Sequence, residues 1–441
     1  MSARFVSMMM LGSAAVLPAG MAMAQATAVQ APTVQPVAPA TTTADPLAPR
    51  PQAAAPAQPP GVAAPQAVPL PPPPPPIWQP ADAQDLLAAV RQVGSEGLDP
   101  RDYDPAALEA ALRGADPMLL SRVATDTFNK LSRDFALGHV RGSARQQWFV
   151  VDKDLDDIRQ RQLLDQALAS HSVGQTLRGL LPTHPQYGSL RVALQQAQPG
   201  DTATINKIRL NMDRWRWLPR DLGERYIIVN VPGIHATLVE NGVTRWKHRA
   251  IAGATKTPTP QLSVHATGVI LNPWWEVPKS LSGEVAGKRG YVAVKGKDGK
   301  VQRWRQPPGP SNALGKIKFV MPNSHAIYLH DTNNRGLFDA KARFLSHGCI
   351  RTEHILDLAG ELLSDDGGEW NQAKIDEVLA SGKTVEAKFV KPVPVYIVYF
   401  SAAALTDGKI VTYQDLYKRD APVIAALNDR DGKAPTRTAA K

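Results

Sequence analysis

The chain is long enough for two folded domains, and its composition excludes several classes of protein. It has 441 residues, a net charge of +10, and 39 prolines against 32 glycines. Its basic residues are spread along the chain and are not interleaved with aromatic side chains, so no nucleic-acid partner is expected. The single cysteine, Cys349, cannot form an internal disulfide. It is therefore an unpaired core thiol, half of an intermolecular bridge, or a reactive group.

The first 24 residues have the features of an export signal. One arginine precedes an apolar stretch over residues 5–16, and Ala22-Met23-Ala24 has the small-residue pattern of a signal peptidase site. We expect cleavage after Ala24. An uncleaved membrane anchor is the alternative, although the apolar stretch is short for a span.

Residues 25–80 are rich in alanine and proline and end in six consecutive prolines, 71–76. A segment of this composition buries too little apolar surface to fold, and it is predicted to be a disordered linker. A role as a proline-rich ligand for a partner protein is the alternative.

Helical spacing of apolar residues extends over residues 81–206 and predicts a helical scaffold domain. Three aspartate-proline pairs divide it, at Asp99, Asp104 and Asp116. Each pair predicts an N-cap followed by proline at the first helical position.

The apolar period changes to that of strands over residues 207–400. Strands are predicted at 226–231, 236–240, 243–248, 264–271, 326–330 and 394–400. Asn241-Gly242 between two of them predicts a type I′ hairpin. We expect a mainly β sandwich or open barrel, and so an α+β multidomain protein. Helices are predicted from residue 373 to 379 and around 413–417, and residues 401–441 are assigned to a C-terminal helix and polar tail.

Chemically active side chains are concentrated between residues 326 and 351. His330 ends a predicted strand, and residues 346–351 read Ser-His-Gly-Cys-Ile-Arg. A nucleophilic thiol needs a base or a positive field, which His330, His347 and Arg351 can supply. The apolar spacing after Thr352 predicts a helix starting near that residue, with Cys349 just ahead of its N-terminus. A zinc site made by Cys349, His330, His347 and His354 is a minor alternative.

This pattern resembles the YkuD-type L,D-transpeptidases, cysteine enzymes that cross-link peptidoglycan stem peptides. The resemblance rests on His330, the fifteen residues that follow it, and the run Ser346 to Ile350. Segments at 214–219, 272–275 and 309–315 are similar to the large periplasmic (YcbB-like) members of Gram-negative bacteria. Those members usually insert a peptidoglycan-binding module between residues corresponding to 182 and 214, and here it is missing.

The resemblance implies a role for each residue of the motif. Cys349 is then the nucleophile and His330 the proton donor and acceptor, while His347 supports the loop or shares the proton. Backbone N–H groups of Gly348 and Cys349 would bind the oxyanion. Arg351 either clamps a stem carboxylate or pairs with Asp357.

The resemblance also implies a cleft and a cover for it. Asn272, Trp274 and Trp275 are then candidates for lining the cleft. Residues 279–305 correspond to a lid, here short, with a disordered basic loop as the alternative. The resemblance implies no cofactor and no metal. It also implies a periplasmic protein, whose proline-rich segment, if it is a ligand, would bind cell-wall synthesis proteins.

The implied reaction is acyl transfer between donor and acceptor stem peptides through a thioester on Cys349, which forms 3-3 or 1-3 cross-links. Hydrolysis by the same nucleophile, as an L,D-carboxypeptidase or endopeptidase, remains open. So do lipoprotein attachment and a non-catalytic scaffold that only binds the wall.

Overall fold

A computed structural model describes residues 76–151, 154–364, 369–405 and 407–429. The predicted signal peptide, nearly all of the proline-rich linker and the polar tail lie outside these residues. In the part of the chain that is described, no helix combines the length and the apolar character needed to cross a bilayer.

Helices fill the described chain up to residue 215, as the periodicity predicts. They are α1 Pro80–Gln92, α2 Pro105–Arg113, α3 Pro117–Leu137, α4 Asp157–Ala169, α5 Val173–Arg178, α6 Pro185–Gln196 and α7 Thr202–Trp215. The last two occupy the stretch where the large periplasmic members carry their extra module.

The aspartate-proline pairs begin helices as predicted. Asp104 accepts a hydrogen bond from the Ala107 N–H at the start of α2, and Asp116 accepts two at the start of α3. Asp99 instead caps a short 3-10 helix, Pro100–Tyr103, so the element that begins at this pair is not an α-helix.

The strands follow the helices. They are β1 Arg225–Asn230, β2 His235–Glu240, β3 Val243–Gly253, β4 Leu262–Leu271, β5 Trp275–Glu276, β6 Val292–Lys295, β7 Val301–Gln306, β8 Ile317–Val320, β9 Leu329–His330, β10 Phe344–Ser346, β11 Ile350–Thr352, β12 Val385–Val398, β13 Ala402–Ala404 and β14 Ile410–Thr412. Three further helices accompany them: α9 Ile355–Ser364, α10 Gln372–Ser381 and α11 Asp420–Asn428, with the one-turn α8 Ser282–Val285 between β5 and β6.

Nine strands form one mixed sheet in the order β10-β3-β11-β9-β8-β4-β12-β1-β2. β3 pairs with β2 along its first part and with β11 near its end, which closes the strand order into a ring. The expectation of a sandwich or open barrel is therefore corrected to a closed one. Closure removes the unpaired edges that an open sheet would expose. The predicted α+β class, helical region first and β-rich region second, is confirmed.

The hairpin between β2 and β3 forms as predicted. Asn241 and Gly242 both have positive φ, at 50° and 76°, which a type I′ turn requires. The local sequence is enough to specify this turn because both residues tolerate the left-handed region.

Three predictions about the second half need correction. Residues 350–352 form β11 because they pair with β3 and β9, so the helix begins only at Ile355. Its apolar face is nevertheless buried as predicted. No helix forms around residues 413–417, and the C-terminal helix is α11. β12 is also much longer than predicted, because it pairs with β4 and β1 along most of its length.

The segment predicted as a lid or a disordered loop is folded. β5, β7 and β6 form a separate three-stranded sheet, beside which Val277, Leu281 and Val285 make a small apolar core. Trp275 and Trp304 pack on that core. The disordered alternative is therefore wrong, and the covering role stays a proposal.

The helical region and the barrel share buried contacts. Trp215 at the end of α7 is stacked between His184 and Phe400, with ring centroids 4.1 and 4.4 Å away. Asp213, fully buried, accepts hydrogen bonds from the N–H groups of residues 139 and 140 and from the Trp217 indole. Buried polar groups need such partners, so Asp213 fixes α7 against the segment that follows α3, while the Trp215–Phe400 stack joins α7 to the residues after β12.

Candidate active site

Strand pairing sets which side chains share the face that carries Cys349. Ile350 pairs with Leu329 and Arg351 with His330, and the Ile350 N–H donates to the Tyr328 carbonyl at 3.1 Å. Ile350 and Leu329 are fully buried in the barrel core. Because side chains alternate along a strand, their neighbours in the sequence face the other way.

Four side chains consequently lie together on the face opposite the core. They are Arg351 of β11 and His330 of β9, together with Cys349 and Tyr328, which immediately precede these two strands. The rings of Tyr328 and His330 meet edge to face, with centroids 5.6 Å apart. The predicted nucleophile and base are thereby brought to adjacent strands.

The loop before β11 presents the thiol to solvent. Cys349 is half-buried, and its Sγ lies 3.5 Å from the Ala326 carbonyl oxygen. Burial raises the pKa of the Cys349 thiol, an effect opposed by Tyr328 and by the charges of Lys318 and Arg351. At neutral pH the resting thiol is therefore protonated.

His330 is almost completely buried, with 5% of its surface exposed. Burial lowers its pKa to about 3, and the positive charges of Arg351 and Lys318 act in the same direction. Within the described residues its Nδ1 has no hydrogen-bond partner. The imidazole is therefore neutral at pH 7, because the backbone groups of Asp331 and Leu314, which favour its charged form, do not offset burial.

The Ser346 hydroxyl shapes the nucleophile loop. It donates to the Cys349 carbonyl at 2.6 Å and accepts from the Gly348 N–H at 3.1 Å. Gly348 has φ of 113°, and a Cβ there would come within 3.2 Å of Ile327 Cδ1. Of the two predicted oxyanion donors, the Gly348 amide is thus already engaged inside the loop.

Two threonines that follow β3 hold this loop from behind. Thr259 accepts from the Gly253 N–H at 2.9 Å and donates to the Gly348 carbonyl at 2.8 Å. Thr257 donates to the Ser346 carbonyl at 3.0 Å. Neither threonine was identified from the sequence, because their contacts join segments about 90 residues apart.

The structure decides between the two expectations for Arg351. Asp357 pairs with His354, with 3.4 Å between Oδ2 and Nδ1, and not with Arg351. Arg351 is half-buried on the Cys349 face, where burial lowers its pKa and Cys349 opposes the shift. Its buried Nε has no partner among the described residues. The pairing with Asp357 is therefore wrong, and the carboxylate clamp stays a proposal.

Asn272 is not free to bind a ligand, which corrects the prediction for it. Its amide nitrogen donates to the carbonyls of Val378, Leu379 and Lys383, at 2.9, 3.3 and 3.2 Å. The residue has φ of 47° and is buried. Its role is to fasten the chain after β4 to the end of α10.

Trp274 and Trp275, the two predicted cleft tryptophans, are half-buried. They lie at the start of the three-stranded sheet formed by β5, β7 and β6. The Arg305 guanidinium stacks over Trp274 at 4.2 Å, and Trp275 contacts Tyr291 edge to face at 6.2 Å. His347 is exposed and has no hydrogen bond to any residue that the structure describes. The roles of all three remain proposals.

The zinc alternative is not assembled by the fold. Among the described residues, the grouping that could hold a metal ion is His248, Glu353 and His354, whose ligand atoms lie within 4.8 Å of one another. It contains neither Cys349 nor His330. Glu353 is moreover paired with Arg249 through both oxygens.

Two family models match the chain. Residues 224–395 match the L,D-transpeptidase catalytic domain, YkuD, and residues 74–194 match a scaffold domain. A curated protein of Haemophilus influenzae, provisionally named an L,D-transpeptidase, is 31% identical over 312 residues. The match covers 63% of this chain and 60% of that protein, so the chain spans less than two thirds of its curated relative.

Solved structures with similarity to the chain include an L,D-transpeptidase of Enterococcus faecium and L,D-transpeptidase 1 of Mycobacterium tuberculosis. They are 12% and 13% identical, cover 41% and 40% of this chain, and match over 52% and 61% of their own lengths. Their TM-scores are 0.22 and 0.20, too low to support a conclusion. The chain therefore contains a YkuD-type L,D-transpeptidase catalytic domain at residues 224–395, with a scaffold domain ahead of it at residues 74–194.

Proposed function

We propose that the chain is a peptidoglycan L,D-transpeptidase that works through a thioester on Cys349. The observation that supports the proposal is the shared face of Cys349 and His330, with a half-buried cysteine and a neutral imidazole. A neutral imidazole beside a neutral thiol is the arrangement needed for general-base activation of a nucleophile.

In the acylation step the His330 imidazole accepts the thiol proton as Sγ attacks the carbonyl carbon of the donor stem. The carbon–nitrogen bond then breaks, and the imidazolium returns the proton to the departing D-alanine amine. An acceptor amine later attacks the thioester, loses a proton to His330, and regenerates the thiol. The product is one new amide that joins two stem peptides.

The oxyanion of each tetrahedral intermediate needs donors close to Sγ. The Cys349 N–H has no acceptor among the described residues and is the first candidate. The Gly348 N–H can join it only if the Ser346 hydroxyl gives up its present contact. Export to the periplasm, where stem peptides are found, follows from the predicted signal peptide and belongs to the same proposal.

The test is to incubate the purified chain with tetrapeptide donors and an acceptor stem and to analyse the products by mass spectrometry. We expect a covalent acyl-enzyme on Cys349 and a cross-linked dimer. Cys349→Ala should remove both, a loss of at least about 10⁴-fold. His330→Gln should slow acylation about 10²- to 10⁴-fold.

His265→Gln is the matched control. It makes the same substitution as His330→Gln at an exposed position of β4, away from the site. Trimmed tetrapeptide without dimer would identify the chain as a carboxypeptidase instead. An active Cys349→Ala variant would show that the chemistry lies elsewhere. Where cross-linked dimers do form, mass spectrometry of muropeptides distinguishes 3-3 from 1-3 bridges.

A further inference from the structure

Lys318 is a charged residue on the Cys349 face that the mechanism above does not use. It lies in β8, where it pairs directly with His330 of β9. Its neighbours Ile317 and Phe319 are fully buried in the barrel core. Alternation along the strand therefore directs Lys318 to the same side as His330 and Cys349.

The Lys318 ammonium lies 4.9 Å from the centre of the Tyr328 ring. The residue is half-buried, and burial lowers its pKa, with the Cys349 side chain the strongest opposing influence. Among the described residues it forms no ion pair. The charges of Glu276 and Glu386 also raise its pKa, each by less than Cys349 does.

Two half-buried cations without a carboxylate partner thus lie on either side of His330, Lys318 in β8 and Arg351 in β11, and the charge of each acts on the Cys349 thiol. Withdrawing a charge from water is costly unless an opposite charge compensates for it. The resting thiol is protonated and cannot be that anion. The carboxylate of a bound molecule would supply the compensating negative charge.

We propose that Lys318, together with Arg351, binds the terminal carboxylate of the donor stem peptide and thereby selects donors that end one residue beyond the attacked carbonyl. The inference rests on the proposed function and adds a specificity-determining residue to it. The chemistry fits because that carboxylate is separated from the attacked carbon by a single amino acid. A flexible ammonium and a planar guanidinium can contact it together.

A second role is possible on the same geometry, and the experiment has to separate the two. Lys318 could stabilise the thiolate itself, in which case it would act equally on every donor. A carboxylate-binding lysine acts only on donors that carry the carboxylate.

The experiment measures kcat/KM for two tetrapeptide donors, one with a free terminal carboxylate and one with a terminal carboxamide. The wild type should prefer the carboxylate. Lys318→Met, which keeps most of the apolar side-chain stem, should lose about 10- to 100-fold on the carboxylate donor, chiefly through KM, and change little on the carboxamide. Lys318→Arg should retain most of the preference.

Lys316→Met is the matched control, since it removes the same charge from an exposed position two residues earlier. Thermal unfolding of each variant shows whether it is folded. The pH profile of alkylation by neutral iodoacetamide reports on the thiol alone. Lys318→Met should move this profile to higher pH, because the lysine charge lowers the Cys349 pKa, and a loss on the carboxylate donor well beyond the loss on the carboxamide donor supports the inference.

An equal loss on both donors, with a shifted alkylation profile, would assign Lys318 to the thiolate and overturn the inference. An active wild type with an unaffected Lys318→Met variant would overturn it as well, and would leave the proposed function intact. If neither donor forms an acyl-enzyme with the wild type, the proposed function is overturned instead.

Discussion

At the scale of single residues, the site combines a thiol and an imidazole that are both uncharged at rest. Burial raises the pKa of Cys349 and lowers the pKa of His330 to about 3. The two shifts act against a preformed thiolate–imidazolium pair, because each charged form would lose hydration. On the proposed mechanism the thiolate forms when substrate is bound and the thiol proton moves to His330, and the resting thiol is expected to react slowly with alkylating agents.

The first prediction concerns this protected thiol. Burial disfavours the thiolate, so a raised pKa means that less thiolate is present at any given pH. We expect the iodoacetamide reaction of the native chain to rise with pH and to reach half its maximum above the pKa of the same cysteine in the unfolded chain. Stopped samples analysed by mass give the rates. A native midpoint below that of the urea-unfolded chain would contradict the prediction.

At the scale of elements, the nucleophile loop depends on β3 and the turn that follows it. β3 pairs with both β10 and β11, on either side of the loop. Thr259 then bridges the Gly253 N–H and the Gly348 carbonyl. This one hydroxyl therefore connects the end of β3 with the peptide before the nucleophile.

The second prediction is that Thr259→Val will weaken both the fold and the reaction. Valine has nearly the same shape but leaves a buried N–H and a buried carbonyl without a partner, at a cost of about 1–3 kcal/mol. Denaturant unfolding should show this loss, and kcat should fall because the loop is less well held. Thr244→Val, at an exposed position of the β2–β3 hairpin, should change neither. An unchanged unfolding midpoint for Thr259→Val would show that the loop is held by other contacts.

At the scale of the whole molecule, buried polar groups join the helical region to the barrel. The Asp213 carboxylate accepts hydrogen bonds from the N–H groups of residues 139 and 140, after α3, and from the Trp217 indole. Arg216 Nη1 lies 3.5 Å from Asp213 Oδ1. Arg214 in the same helix pairs with Asp420 at the start of α11. Arg214 and Asn211 of this helix also hydrogen-bond Ser401, just after β12, so α7 connects the scaffold, the end of the barrel and the C-terminal helix.

The third prediction is that Asp213→Asn will destabilise the whole described unit. The asparagine keeps the shape but loses the charge and presents N–H groups to donors, so we expect a loss of about 2–5 kcal/mol. Calorimetry should show the melting transition at a lower temperature. Asp126→Asn, on the exposed side of α3, is the matched control and should melt like the parent. If the two variants melt together, Asp213 does not hold the regions in place.

Local signals in the sequence were sufficient for the features that depend on near neighbours. The aspartate caps of α2 and α3, the Asn241-Gly242 turn and the apolar face of α9 are of this kind, because each depends on residues a few positions apart. The resemblance to a known family added the motif of Cys349 and His330, whose roles remain proposals.

Only the tertiary structure decided the rest, since it depends on which distant segments pair. Residues 350–352 became a strand by pairing with β3 and β9, against a helical prediction. The amide nitrogen of Asn272 donates to carbonyls more than 100 positions later in the chain. Lys318 lies on the Cys349 face because it pairs with His330. A lysine within an apolar strand was visible in the sequence, but the side to which it points is set by strand register, and register is a property of the closed barrel.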